Sequence, residues 1–208
     1  MSNLKSLVKD TAIYGLSSIV GRFLNYLLTP LYTIKLASAS GEYGIMTNMY
    51  AVTALILVIL TFGLETTFFR FANKSGEDPR KVYSTTLIAV GSGAITFFLL
   101  VLMFLSPIAS FMGYADHPSY IWVMALTVAI DSFLCIPFDY LRFKNRPIKF
   151  ASLKVFIIVL NISLNLVYYL LLPALYERHP EVVGMVYSPS VGVGYAFYIN
   201  LVCSALTI

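Results

Sequence analysis

Residues 82–105 read VYSTTLIAVGSGAITFFLLVLMFL, 24 positions without a single charged side chain. A hydrocarbon core about 30 Å thick is crossed by a helix of about 20 apolar residues. A core helix of a soluble domain would instead carry charges on its outward face. The stretch therefore reads as a membrane span. Comparable runs lie on both sides of it, over about 11–36, 43–69, 120–140 and 151–172, and a sixth begins near Val191 and is still running at Ile208. A spanning segment has to satisfy its backbone polar groups internally, which leaves helices or closed barrels. Barrel strands of about ten alternating residues are not found. Composition agrees: 59% of residues are hydrophobic and 12% charged, against about 45–50% and about 25% in soluble domains. The expected fold is all-α, a polytopic transmembrane helix bundle of about six helices forming one unit over residues 1–208.

The basic residues give the bundle a direction. Lys5 and Lys9 precede the first run; Arg70, Lys74, Arg80 and Lys81 follow the second; Arg142, Lys144, Arg146, Lys149 and Lys154 follow the fourth. Lys35 and Arg178 are the basic residues expected on the other side. Lys and Arg are retained in cytoplasmic loops, so the N-terminus is expected in the cytoplasm. The net charge of +4 then follows from topology, and no nucleic-acid partner is expected. The first run is too long for a secretory signal and contains Arg22. Cys135 and Cys203 fall inside spans without zinc or redox spacing and read as small packing residues. His117 and His179 sit in loops with no metal-binding motif around them, so neither a cofactor nor a catalytic residue is expected. Leu201–Ile208 reads as the middle of a helix with no basic stop after it. The chain is accordingly expected to be part of a longer protein.

Polar residues inside the spans are the functional candidates, because a charge at mid-bilayer costs from about 2.5 kcal/mol upward. In the first run Tyr14, Ser18, Arg22, Asn25 and Thr29 recur at helical spacing and share one face. Such a stripe suits the wall of a hydrated cavity and equally a helix–helix packing face. Pro30 is expected to kink this helix. In the fourth run Thr127, Asp131, Cys135 and Asp139 also share a face. Arg22 and Asp131 lie at similar depth, about 17 Å in, and are expected to pair, either as a transport-path pair or as a structural salt bridge. Glu65 and Arg70 stand near the end of the second run, on different faces and not as partners. Asn161 and Asn165 read as helix glue, and Gly91-Ser92-Gly93 as a close-packing patch. The candidate transport path is Ser18, Arg22, Asn25, Glu65, Arg70 and Asp131.

Three stretches carry a resemblance: YGLSSIVGRFLNYLLTPLYT at 14–33, GEYGIMTNMYA at 41–51 and TFGLETTFFRFANK at 61–74. They resemble the start of bacterial polysaccharide biosynthesis proteins, the oligosaccharide-lipid flippases of the multidrug/oligosaccharidyl-lipid/polysaccharide exporter superfamily. Pro30, Glu42-Tyr43-Gly44 and Gly63-Leu64-Glu65 with Arg70 fall on the motif positions. The resemblance implies the N-terminal lobe of a two-lobed transporter of the inner membrane. Its cargo would be a lipid-linked oligosaccharide for surface polysaccharide or lipopolysaccharide. Arg22 matches the cavity cations that hold the pyrophosphate. Further partners implied are membrane lipids, H+ or Na+ as coupling ion, and other polysaccharide-assembly proteins. One alternative is a cation-coupled multidrug exporter, which would carry an acidic residue in the first helix where this chain has Arg22. Another is a membrane glycan polymerase or acyltransferase, which needs catalytic groups in sizeable loops, whereas the loops here are short. A structural subunit that transports nothing is a third.

Overall fold

A computed structural model describes residues 12, 14–16, 19, 26–36 and 41–208, and every regular element among them is helical. Helix α1 spans Leu28–Leu36, with Leu27 in a turn just before it. The discontinuity sits where Pro30 lacks the N–H that would continue a helix from upstream. Helix α2 covers Glu42–Thr61 and α3 covers Leu64–Ala72. The sequence had suggested one unbroken run over 43–69. The break falls at Phe62 and Gly63, both at positive φ (41° and 70°), and Gly63 takes that conformation without steric cost.

Helix α4 runs over Pro79–Met103, started by Pro79 and by the Asp78 carboxylate accepting from the Arg80 backbone N–H at 2.9 Å. Then come α5 (Leu105–Phe111), α6 (Pro118–Phe143) and α7 (Pro147–Leu166). Helix α7 passes through a π turn, Val167–Leu171, into α8 (Leu172–Arg178). The short α9 (Pro180–Val183), a 3₁₀ turn at Pro189–Val191 and α10 (Gly194–Ala205) complete the described chain.

Among the described residues, four stretches are long and apolar enough to cross a membrane: Glu42–Ala72, Pro79–Met103, Pro118–Phe143 and Pro147–Tyr176. The shortest, 25 residues, extends about 38 Å at 1.5 Å per residue, enough for the hydrocarbon core. The chain is thus an all-α, polytopic membrane protein. Positions 11, 13, 17, 18 and 20–25 of the first expected span lie outside the described residues, and the sixth is observed as the 12-residue α10. Val58, Ile88 and Ile95 are exposed along the spans, where hydrocarbon supplies the contact that protein does not.

The chain divides into two compact units, one of Met1–Met49 with Ala151–Cys203, the other of Tyr50–Phe150 with Ser204–Ile208. In the second unit α6 is the hub, with 12 of its 26 residues buried. Helix α4 lies close along it at Gly91, where a β-carbon would stand 3.3 Å from the Phe133 ring. Gly93 has open space instead, so only the first glycine of the expected patch serves close packing. At one end of this unit α3, α4 and α6 converge on aromatic rings. Phe68 meets Phe143 edge-on at 5.9 Å, and Tyr83 lies 4.4 Å from Tyr140.

In the first unit the π turn separates two consecutive tyrosines. The Tyr168 ring packs on Tyr195 at 4.8 Å. Tyr169 meets Tyr32 edge-on at 5.6 Å, donates its hydroxyl to the Gly192 carbonyl at 3.2 Å and accepts from the Ala196 N–H at 3.1 Å. The Tyr195 hydroxyl holds the loop before α10 by accepting from the Ser188 N–H at 2.6 Å and donating to the Ser188 carbonyl at 3.2 Å. Tyr187 stacks on Tyr195 at 5.4 Å. Burial, then the neighbouring Tyr195 and Tyr176, pushes the Tyr187 hydroxyl above its ordinary range. The Glu42 carboxylate rests against Gly192, leaving no room for a side chain there.

Candidate functional site within the spans

Ser18, Arg22 and Asn25 lie outside the described residues, and with them the expected stripe and the Arg22–Asp131 pair. The described candidates lie in the second unit, Asp131 on α6 and Glu65 and Arg70 on α3. Asp131 is the fourteenth residue of that helix, about 20 Å from its start at 1.5 Å per residue. It is half-buried and accepts a hydrogen bond from the Ser204 hydroxyl at 2.6 Å. Such a short bond is typical of a charge-assisted contact, which compensates a carboxylate for lost water.

One turn further along, the half-buried Cys135 lies close enough to the Glu65 and Asp139 carboxylates for both charges to act on its thiol. Glu65 follows the α2–α3 break by two residues, and α3 packs against α6. The break thus sets the direction from which this half-buried acid approaches. Asp139 is 2% exposed and receives the Arg142 guanidinium at 3.4 Å. Arg142 also lies over the Phe150 ring, 4.8 Å from its centre. Asp131, Cys135, Asp139 and Arg142 therefore form a polar seam from mid-span to the end of α6, about 17 Å long.

Not every predicted residue joins it. Thr127 turns back to the Val123 carbonyl at 2.8 Å. Arg70 is exposed on α3 and forms no ion pair with Glu65, as the five-residue spacing implies. Both cysteines sit within helices as expected, Cys203 buried and Cys135 half-buried, and the Cys203 sulfur also accepts from the Asn161 amide.

The first unit holds a second polar arrangement, uncharged. The Tyr32 hydroxyl donates to Asn165 Oδ1 at 2.7 Å. The Asn165 amide donates to the Asn161 carbonyl at 2.8 Å and to Asn161 Oδ1 at 3.1 Å. Asn161 in turn donates to Asn200 Oδ1 at 2.7 Å. The chain links α1, α7 and α10 by side-chain bonds that hydrocarbon cannot replace. Asn161 and Asn165 were legible as glue, but Tyr32, Asn200 and Ser204 were not. Their partners are 133, 39 and 73 residues away, and no local spacing signals such a pairing.

Chemically, the seam offers carboxylates that exchange protons or hold a cation. Among the described residues no group of three His, Cys, Asp or Glu side chains is placed to hold a metal ion. No curated protein and no solved structure matches the chain significantly. A family model does match, over residues 39–177 and so about two thirds of the chain, and its description is polysaccharide biosynthesis protein.

Proposed function

Because the chain belongs to the polysaccharide biosynthesis protein family, we propose that it moves a lipid-pyrophosphate-linked oligosaccharide across the bacterial inner membrane. It acts by alternating access, as a transporter and not an enzyme. The observation that carries this reading is the retention of ionisable groups within apolar spans, Asp131 at mid-span and Glu65 and Asp139 along the same seam. A charge at that depth costs about 2.5 kcal/mol or more, so its presence calls for a use. In this reading Arg22, flanked by Ser18 and Asn25, holds the cargo's pyrophosphate. Asp131 and Glu65 take up the coupling H+ or Na+, and Arg70 stands at the entrance. The lipid tail stays in the bilayer throughout, and no covalent bond of the cargo changes.

The carboxylates also favour a second reading, a cation-coupled multidrug exporter, since acidic groups attract a cationic cargo. One experiment separates the two. Arg22→Ala and Arg22→Lys are introduced into the gene in its native host, and surface polysaccharide and membrane protein level are measured. Loss of one charge-assisted contact predicts about a tenfold fall in surface polysaccharide for Arg22→Ala, with partial recovery for Arg22→Lys. Unchanged polysaccharide at normal protein level would sink the role of Arg22. Intact polysaccharide in a strain lacking the protein, together with raised sensitivity to cationic dyes, would favour the exporter.

A further inference from the structure

The end of the second unit where α3, α4 and α6 converge carries several exposed cations, among them Arg70, Arg80, Lys81, Lys144 and Arg146. None of these five is in an ion pair among the described residues. The nearby carboxylates are already engaged. Glu77 pairs with Lys74 at 3.9 Å, Asp78 caps α4, and Asp139 holds Arg142. The same end holds the aromatic cluster of Phe68, Tyr83, Tyr140 and Phe143, and the Lys144 ammonium lies 5.4 Å from the Tyr140 ring centre and 5.7 Å from that of Phe143.

We propose that this edge is a docking ledge for anionic phospholipid headgroups of the cytoplasmic leaflet. Three features select a lipid surface. The ledge lies at the ends of helices long and apolar enough to span, hence at headgroup depth, and its positive charge sets that end on the cytoplasmic side. Exposed apolar side chains stand among the cations, Ile148 at 74% and Phe71 at 40%; acyl chains cover them, whereas an acidic soluble partner would leave them in water. The cations are spread over the ends of α3, α4 and α6 and the loop that follows α6. That distribution fits a charged sheet better than a single bound group. Arg70 apart, which the proposed transport path also uses, the ledge is independent of the cargo assigned above.

The test uses the full chain in phosphatidylcholine vesicles containing a minority of phosphatidylglycerol. Spin-labelled phosphatidylglycerol and spin-labelled phosphatidylcholine are compared for the fraction held immobile at the protein. Each cation near an anionic leaflet is worth roughly fivefold, so phosphatidylglycerol is expected to be preferred severalfold or more. The combined variant Arg80→Gln, Lys81→Gln, Lys144→Gln, Arg146→Gln should erase the preference, and Arg178→Gln should keep it. Raising the ionic strength should weaken the preference of the unaltered chain, which tests the ledge even where the fourfold variant does not fold. Equal retention of both lipids, a preference indifferent to salt, or its persistence in a folded fourfold variant would overturn the proposal. So would its abolition by a little inorganic pyrophosphate, which would mark a site for one discrete ligand.

Discussion

Replacing Gly192 with alanine tests how the loop before α10 is fastened within the first unit. The Gly192 backbone sits at φ 49° and ψ −122°, a conformation that costs an L-residue about 1–3 kcal/mol. A β-carbon would also overlap the Glu42 carboxylate, standing 2.7 Å from its carbon. Glu42 can swing aside, but at the loss of a contact worth about 0.5–1.5 kcal/mol. The combined penalty is about 2–4 kcal/mol, or a drop in Tm of roughly 5–15 °C for a chain of this size. The assay is thermal unfolding of the full chain in detergent, followed by a fluorogenic maleimide that reacts when Cys203, 3% exposed in the fold, becomes accessible. Gly44→Ala is the reference, because Gly44 lies inside α2 with nothing within 4 Å of a β-carbon. It should melt at or slightly above the parent. Adding Glu42→Ala to Gly192→Ala removes the overlap but not the torsional strain, so it should recover about 1 kcal/mol at most. If Gly192→Ala melts with Gly44→Ala, both the backbone conformation and the Glu42 contact have been misread.

Ser204→Ala removes the donor to Asp131 and should lower stability by about 1–2 kcal/mol, with Ser204→Thr near the parent; the same melt decides, and an unchanged Ser204→Ala would detach Asp131 from Ser204. Asn165→Leu severs the link between Tyr32 and Asn161 and should cost about 0.6–2 kcal/mol. Combined with Tyr32→Phe it should cost less than the sum of the two, and strict additivity would argue against a shared network.

Features confined to one window of sequence were legible, and those assembled across windows were not. The uncharged run at 82–105 appears as α4, and that at 120–140 as α6, each lengthened at its start because Pro79 and Pro118 occupy the first turn, where a missing N–H costs nothing. The five-residue offset of Glu65 and Arg70 correctly put them on different faces. The Phe62–Gly63 break escaped notice because both residues are as apolar as the run that contains them. The seam was half visible: the four-residue spacing along α6 could be read, but Ser204 and Glu65 reach it by folding. For Ser18, Arg22 and Asn25 the spacing argument stands as an expectation, since those positions lie outside the described residues.

The π turn at Val167–Leu171 amounts to one residue too many in an otherwise regular coil. Such a surplus is not tied to its place. It can pass along a helix by exchanging one backbone hydrogen bond for the next, and every residue it passes is rotated by about 100°. Passed toward the start of α7, it would swing Asn165 and then Asn161 out of line with Tyr32 and Asn200, while Leu172–Arg178 kept its footing. Moving the surplus along α7 would thus exchange its side-chain partners while both ends of the helix stayed in place.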